Sequence, residues 1–80
     1  MLLKRIMLPH HGELAIDIDT VTAVWKDEKI TVDASYHWRF IRISSVSGVM
    51  VSLAYNAGKV ERLEEDYQAL LAALGVPTSQ

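Results

Sequence analysis

Residues 60–74 read VERLEEDYQALLAAL, and this stretch decides the fold. Large apolar side chains recur there at the three- and four-residue spacing of an amphipathic helix, at Val60, Leu63, Tyr67, Leu70, Leu71 and Leu74. Acidic residues crowd its first half, where the positive end of the helix dipole stabilises carboxylates. Gly75 stands where a left-handed residue ends a helix, and Pro77 blocks continuation. The pattern predicts one C-terminal helix over residues 58–74 and a tail over 76–80.

Residues 2–56 have a different period, because their apolar side chains tend to alternate with polar ones. Alternation is typical of strands that bury one face. The charged segment Lys26-Asp27-Glu28-Lys29 is predicted as a turn between two of them. Six strands follow from the pattern, over residues 2–8, 13–18, 21–25, 30–35, 38–44 and 49–55.

The strand over residues 38–44 departs from simple alternation. Trp38 and Phe40 share one face with Arg42, whereas Ile41 and Ile43 share the other face with Arg39. Either both faces of this strand are partly covered, or a bulge near Phe40 switches its register.

Only the C-terminal helix is available to cover the apolar face of these strands. Short connections between consecutive strands favour a meander. We therefore expect an α+β fold: a small antiparallel β-meander or half-open barrel of five to six strands closed by one C-terminal helix. Residues 1–80 are predicted to form a single small domain.

Composition excludes several classes of protein. The 80 residues are 50% hydrophobic, carry a formal net charge of −2 and include no cysteine. This disfavours a disordered tail, a strongly basic nucleic-acid binder, a disulfide scaffold and a Cys-based zinc site. Lys4 and Arg5 interrupt the apolar start, and the longest apolar run, Ala69–Leu74, is too short to span a bilayer. A cytoplasmic protein without a membrane segment is expected.

No catalytic motif is present, and we expect neither an enzyme nor a cofactor. His10, His11 and Asp17 could suggest a metal site, but adjacent histidines in a turn rarely face one ion, and a solvated turn is the better interpretation. Ser44, Ser45 and Ser47 precede a glycine without forming a nucleophile elbow.

Aromatic and basic side chains alternate at Trp38, Arg39, Phe40 and Arg42. Three interpretations fit: core residues flanked by arginines, a protein-contact strand anchored by Trp and Arg, or a platform that stacks single-stranded nucleic acid. The acidic helix and the pI of about 5.8 disfavour the third interpretation.

The end of the helix is apolar nearly all round, which is wider than contact with one sheet requires. Either a second copy of the chain covers Leu70, Leu71 and Leu74, or the intervening alanines are only good helix formers facing solvent.

The strand order resembles that of the FlbD-like family of small bacterial proteins associated with flagella and swarming motility. The likeness covers most of residues 4–74 and is carried by Ala15-Ile16-Asp17-Ile18-Asp19-Thr20-Val21-Thr22-Ala23-Val24, a later Ser-Gly turn, a Val-x-Val strand and the terminal helix. The acidic turn lacks Asn-Pro-Asp, residues 30–38 form an insertion, and the helix is longer. The resemblance implies a non-catalytic accessory protein acting through protein contacts, and it assigns no functional residue.

We therefore predict a small non-catalytic protein-interaction or regulatory protein, homodimeric or monomeric. It would dock on a larger bacterial protein complex as an accessory factor or an inhibitor. The alternative is a single-stranded nucleic-acid-binding module that uses the strand Trp38–Arg42.

Overall fold

A computed structural model describes residues 2–48 and 50–77, with the backbone alone at Met50. The elements are β1 (Lys4–Leu8), β2 (Gly12–Ile16), a 3-10 helix (Ile18–Thr20), β3 (Val21–Ile30), β4 (His37–Ser45), β5 (Met50–Asn56) and α1 (Val60–Ala73). Strands β1 and β2 form one antiparallel sheet, and β3, β4 and β5 form a second in that order. The predicted α+β fold with a C-terminal helix is confirmed, whereas closure into a half-open barrel is not.

Helix α1 ends as its sequence predicts. Gly75 has a φ of +82°, a left-handed conformation that glycine adopts without steric cost. Its N–H donates to Ala72 O at 3.1 Å, and the Val76 N–H donates to Leu71 O at 2.9 Å. These two bonds form a Schellman motif, which satisfies carbonyls that the helix leaves unpaired. Of the predicted tail, Thr78, Ser79 and Gln80 lie outside the described residues.

The predicted turn over residues 26–29 and the strand after it are wrong. Strand β3 continues without interruption to Ile30, and the chain reverses at residues 31–36. The charged side chains of residues 26–28 fit an extended strand because their partners lie on other elements. Asp27, for example, pairs with Arg42 of β4. The predicted second strand, residues 13–18, extends too far at its C-terminal end. Ile18 belongs to the 3-10 helix, which Asp17 caps.

Strand β4 is the central strand and keeps a continuous register with β3 and β5 around Phe40. The predicted bulge near Phe40 is therefore wrong, and the only register shift in the β3–β4 pairing lies between Val21 and Ala23. The other interpretation is confirmed, since Ile41 is buried on one face and Phe40 is half-buried on the other. The last predicted strand begins at Val49, which lies outside the described residues; β5 begins at Met50.

The core lies between the two sheets and α1. Its buried members come from every layer: Ile6, Leu8, Ile41, Ile43, Tyr55, Leu63 and Leu70. Because Ile41, Ile43 and Tyr55 all project from one face of the β3–β4–β5 sheet, α1 and the β1–β2 hairpin pack on that face. Within the described residues, no helix has the length and apolarity needed to cross a bilayer.

Candidate functional site

The face of the β3–β4–β5 sheet opposite α1 carries an aromatic cluster. We call it the open face and define it by Trp25, Trp38, Phe40 and Arg42. Trp25 of β3 stands directly opposite Arg42 of β4, and residues opposite each other in an antiparallel pair share a face. All four side chains are half-buried by their neighbours within the sheet, and each keeps part of its surface exposed.

Arg42 is the organising residue of the open face. Its guanidinium lies 4.4 Å from the centre of the Phe40 ring, its Nε donates to Asp27 Oδ2 at 2.8 Å, and its Nη1 donates to Ser52 Oγ at 2.8 Å. Stacking on an aromatic ring while bonding a carboxylate is a geometry that the planar guanidinium favours. The arginine is therefore held in one orientation, flat against the sheet.

Asp27 is the acidic partner within this face. Its carboxylate accepts the Glu28 N–H at 2.8 Å and the Arg42 Nε–H. These bonds, the backbone one first, lower the pKa of Asp27 below its ordinary value. The open face consequently presents a paired cation and anion beside exposed aromatic rings, which suits a protein surface better than a polyanion.

Trp38 lies towards the far end of the open face, opposite Lys29 of β3 and Asn56 of β5. The Tyr36 ring, 42% exposed, is 6.3 Å from the Trp38 ring between centroids, at an interplanar angle of 51°. The two rings extend the aromatic surface from the sheet into the β3–β4 turn.

Arg39 lies on the other face, as its phase in the sequence predicts. Its Nε donates to Ala57 O at 3.1 Å, and its Nη2 is 3.3 Å from Glu28 Oε2. His37 also hydrogen-bonds this Glu28 carboxylate, and the two neighbours, His37 first, lower the pKa of Glu28. The structure therefore separates Arg39 from Trp38, Phe40 and Arg42, with which the sequence analysis grouped it.

The three leucines proposed at the helix end have different environments. Leu70 is wholly buried in the core, so it is not available to a partner. Leu71 and Leu74 are half-buried and line an open groove of about 400 Å³ between α1 and the first half of β3. The other walls of the groove are largely apolar: Ile18, Val21, Thr22, Ala23, Val24, Tyr67 and Val76.

The two adjacent histidines point to different partners. His10 Nε2 lies 2.8 Å from Glu65 Oε1, whereas His11 Nε2 lies 3.1 Å from the Ala54 carbonyl and its ring packs edge-on against Tyr55. Asp17 Oδ1 accepts the Asp19 N–H in the cap of the 3-10 helix. Within residues 2–48 and 50–77, no three His, Asp or Glu side chains are grouped closely enough to hold a metal ion.

Sequence reasoning missed a buried polar link. Asp66 belongs to the acidic first half of the helix that the sequence predicts, but it is 0% exposed. It accepts the Tyr55 O–H at 2.6 Å and the His10 N–H at 2.8 Å. Burial, followed by the nearby Asp66 carboxylate, raises the pKa of Tyr55. The sequence feature that could have indicated this burial is the spacing of Asp66, which stands between Leu63 and Leu70 on the apolar stripe of the helix.

The fold and the open face define a class, a small α+β protein with an uncovered aromatic sheet face. Comparisons of the chain with protein-family models, curated proteins and solved structures found no match. The resemblance to the FlbD-like family stays a prediction.

Proposed function

We propose that this chain is a non-catalytic protein-interaction protein that docks on a partner protein through its open face. The supporting observation is the placement of Trp25, Trp38, Phe40 and Arg42 on the sheet face that α1 and the β1–β2 hairpin leave uncovered. Tryptophan and arginine are the residue types enriched at the energetic centres of protein interfaces. An accessory factor or inhibitor acting on a bacterial complex in the cytoplasm fits this surface.

Charge favours a protein partner over single-stranded nucleic acid. A stacking platform needs cations that are free to meet phosphates. Here Arg42 is bonded to Asp27 and Ser52, and Arg39 lies on the opposite face beside Glu28. Among the described residues of β3, β4 and β5, Lys29, opposite Trp38, is the one cation left for phosphates on the open face. Nucleic-acid binding would have to break the Arg42–Asp27 pair or bring phosphates close to the Asp27 carboxylate.

Self-association is a second part of the proposal. Leu71 and Leu74 border a groove that is lined mostly by apolar residue types and that the described residues leave open, and a second copy of the chain is a suitable cover.

Affinity capture with matched variants tests docking. Tagged wild-type protein, Trp38→Ala and Arg42→Ala are each exposed to lysate of the source cell with and without nuclease, and bound proteins are quantified by mass spectrometry. We expect one protein to be retained in both arms and to fall at least about tenfold with either variant, because interface anchors of this type are worth about 2 kcal/mol or more. Arg62→Ala, at an exposed position on α1, is the matched control and should capture as wild type.

Two results would contradict the proposal. Equal capture by wild type and both variants would show that the open face does not contact the partner, provided that thermal melts show all proteins folded. Capture that disappears with nuclease would favour the nucleic-acid alternative. Quenching of tryptophan fluorescence by a short oligonucleotide at low salt would then identify the stacking platform.

A further inference from the structure

Strand β3 has an unpaired edge. It is the outer strand of its sheet and pairs with β4 alone in the described part of the chain. The other outer strand, β5, differs because the turn that follows β1 approaches it, with His11 Nε2 3.1 Å from the Ala54 carbonyl. An exposed strand edge presents N–H and C=O groups ready to pair with another strand. Of the two outer edges, that of β3 is therefore the better docking site.

We propose that two copies of this chain pair their β3 strands edge to edge and antiparallel, with Lys26 of each copy opposite Glu28 of the other. The result is a continuous six-stranded sheet with a two-fold axis at Asp27. This assignment deepens the self-association proposed above and is independent of docking at the open face.

Geometry restricts the register. The irregularity between Val21 and Ala23 leaves residues 23–30 as the regular part of β3. A two-fold axis perpendicular to the sheet keeps each face continuous. Two residues that stand opposite each other across the interface must then have sequence numbers that differ by an even number. Only two such registers lie next to the middle of this segment, one centred on Lys26 and one centred on Asp27.

Charge decides between these two registers. Centring on Lys26 sets two ammonium groups against each other, each bonded to Glu64 of its own chain, and leaves Glu28 opposite Val24. Centring on Asp27 sets Lys26 against Glu28 twice and Val24 against Ile30 twice. Lys26 then stands between Glu64 of its own chain and Glu28 of the other, and Glu28 keeps its contact with Arg39. The two Asp27 carboxylates at the axis are each bonded to Arg42 of their own chain. Opposite-charge and apolar cross-strand pairs stabilise a sheet, whereas like charges directly opposite destabilise it.

The same register brings two exposed apolar features together. Ile30 is 55% exposed, and Val32 in the β3–β4 turn is fully exposed. The groove lined by Val24, Leu71 and Leu74 is also uncovered. Pairing Ile30 with Val24 of the second copy lays the turn beside that groove, so that each copy covers the apolar surface of the other.

The mass of the protein in solution is the first test. Light scattering after size exclusion should give twice the 9.0 kDa chain mass for wild type. Ile30→Asp should give the chain mass and still melt cooperatively, since residue 30 is exposed in the isolated chain, although the melt should lie below that of the dimeric wild type. Val46→Asp is the matched control, because Val46 is an exposed apolar residue, 72% exposed, in the turn after β4, and this variant should remain dimeric.

Single cysteines report the register, because the chain has none of its own. Asp27→Cys should form an intermolecular disulfide under mild oxidation, since opposed residues have Cα atoms roughly 4.5–5.5 Å apart. A mixture of Lys26→Cys and Glu28→Cys chains should give mainly the heterodimer, because self-pairing at either position needs about 8 Å. Glu61→Cys, at an exposed position on α1, should crosslink at least about tenfold more slowly than Asp27→Cys.

Each contrary result overturns a stated part. A wild-type monomer at the highest soluble concentration overturns self-association. The docking proposal is not affected by that result, because it is tested by the capture experiment with Trp38→Ala and Arg42→Ala. A dimer that survives Ile30→Asp, or that crosslinks equally through Glu61→Cys, overturns the β3 interface. Homodimers in excess of the Lys26→Cys/Glu28→Cys heterodimer overturn the register.

Discussion

The two faces of the β3–β4–β5 sheet differ in how their large side chains are shielded from solvent. On the covered face Ile41 and Ile43 are buried against α1 and the β1–β2 hairpin. On the open face Phe40, one residue from Ile41, is covered in part by the stacked Arg42. The core that stabilises the fold is thus complete on one face. Aromatic side chains on the other face add little to it, which is why we connect them with binding.

The largest effect should come from the covered face. Ile41→Ala removes a side chain that is 0% exposed and leaves a cavity, so we expect a loss of about 2–5 kcal/mol in the free energy of unfolding. Phe40→Ala should cost less than about 2 kcal/mol, because its ring is only half-buried. Urea unfolding followed by circular dichroism measures both values. Equal losses would mean that the two faces contribute alike to stability.

The second largest effect on stability should come from the buried polar link between Asp66, Tyr55 and His10. Asp66→Ala leaves the Tyr55 O–H and the His10 N–H without their acceptor, and a loss of about 3 kcal/mol is expected. Glu65→Ala is the matched control on the adjacent residue. Its carboxylate pairs with His10 but is 64% exposed, so the expected loss is below about 1 kcal/mol. A similar loss for both variants, in the same urea experiment, would show that Asp66 is not a structural link.

Fluorescence sharpens the comparison, since both tryptophans of the chain, Trp25 and Trp38, lie on the open face. Iodide should quench the folded protein, with a Stern–Volmer constant below that of the urea-unfolded chain, because each ring keeps only part of its surface exposed. The single-tryptophan variants Trp25→Phe and Trp38→Phe assign the signal to each ring. Quenching that begins only on unfolding would place the rings in the core.

The smallest expected effect is a pH dependence in the β3–β4 turn. Asp33 accepts the Ser35 N–H at 3.1 Å and the Ser35 and Thr31 hydroxyls at 2.8 and 2.9 Å, and these bonds lower its pKa from 3.8 to about 2. A lowered pKa means that the contribution to stability is present above pH 3.8 and disappears as the pH falls towards 2. NMR titration of the Asp33 carboxyl carbon should show this midpoint. An ordinary midpoint near 3.8 would contradict the turn geometry.

The sequence was informative wherever structure depends on near neighbours. The apolar stripe and Gly75 predicted α1 and its end. The two-residue period of a strand put Arg39 on the face opposite Trp38, Phe40 and Arg42, although the site prediction grouped all four. These patterns are local, because a helix or strand repeats its own geometry.

Long-range pairing accounts for the errors. The charges of Asp27 and Glu28 suggested a turn because their partners, Arg42 and Arg39, stand more than ten positions away and meet them only across the β3–β4 ladder. The burial of Asp66 went unpredicted for the same reason, since Tyr55 and the turn after β1 reach it only in the folded chain.

The division of the strands into two sheets has a consequence for the order in which the chain opens. Within the described residues the β1–β2 hairpin shares no backbone ladder with β3–β4–β5. It is joined to the rest by packing in the shared core and by side-chain bonds that include those of His10 and His11. Side-chain contacts separate at a lower free energy than a packed three-stranded ladder. We therefore expect the hairpin to open locally before the β3–β4–β5 ladder does, with its backbone amides exchanging hydrogen faster than those of the central strand β4.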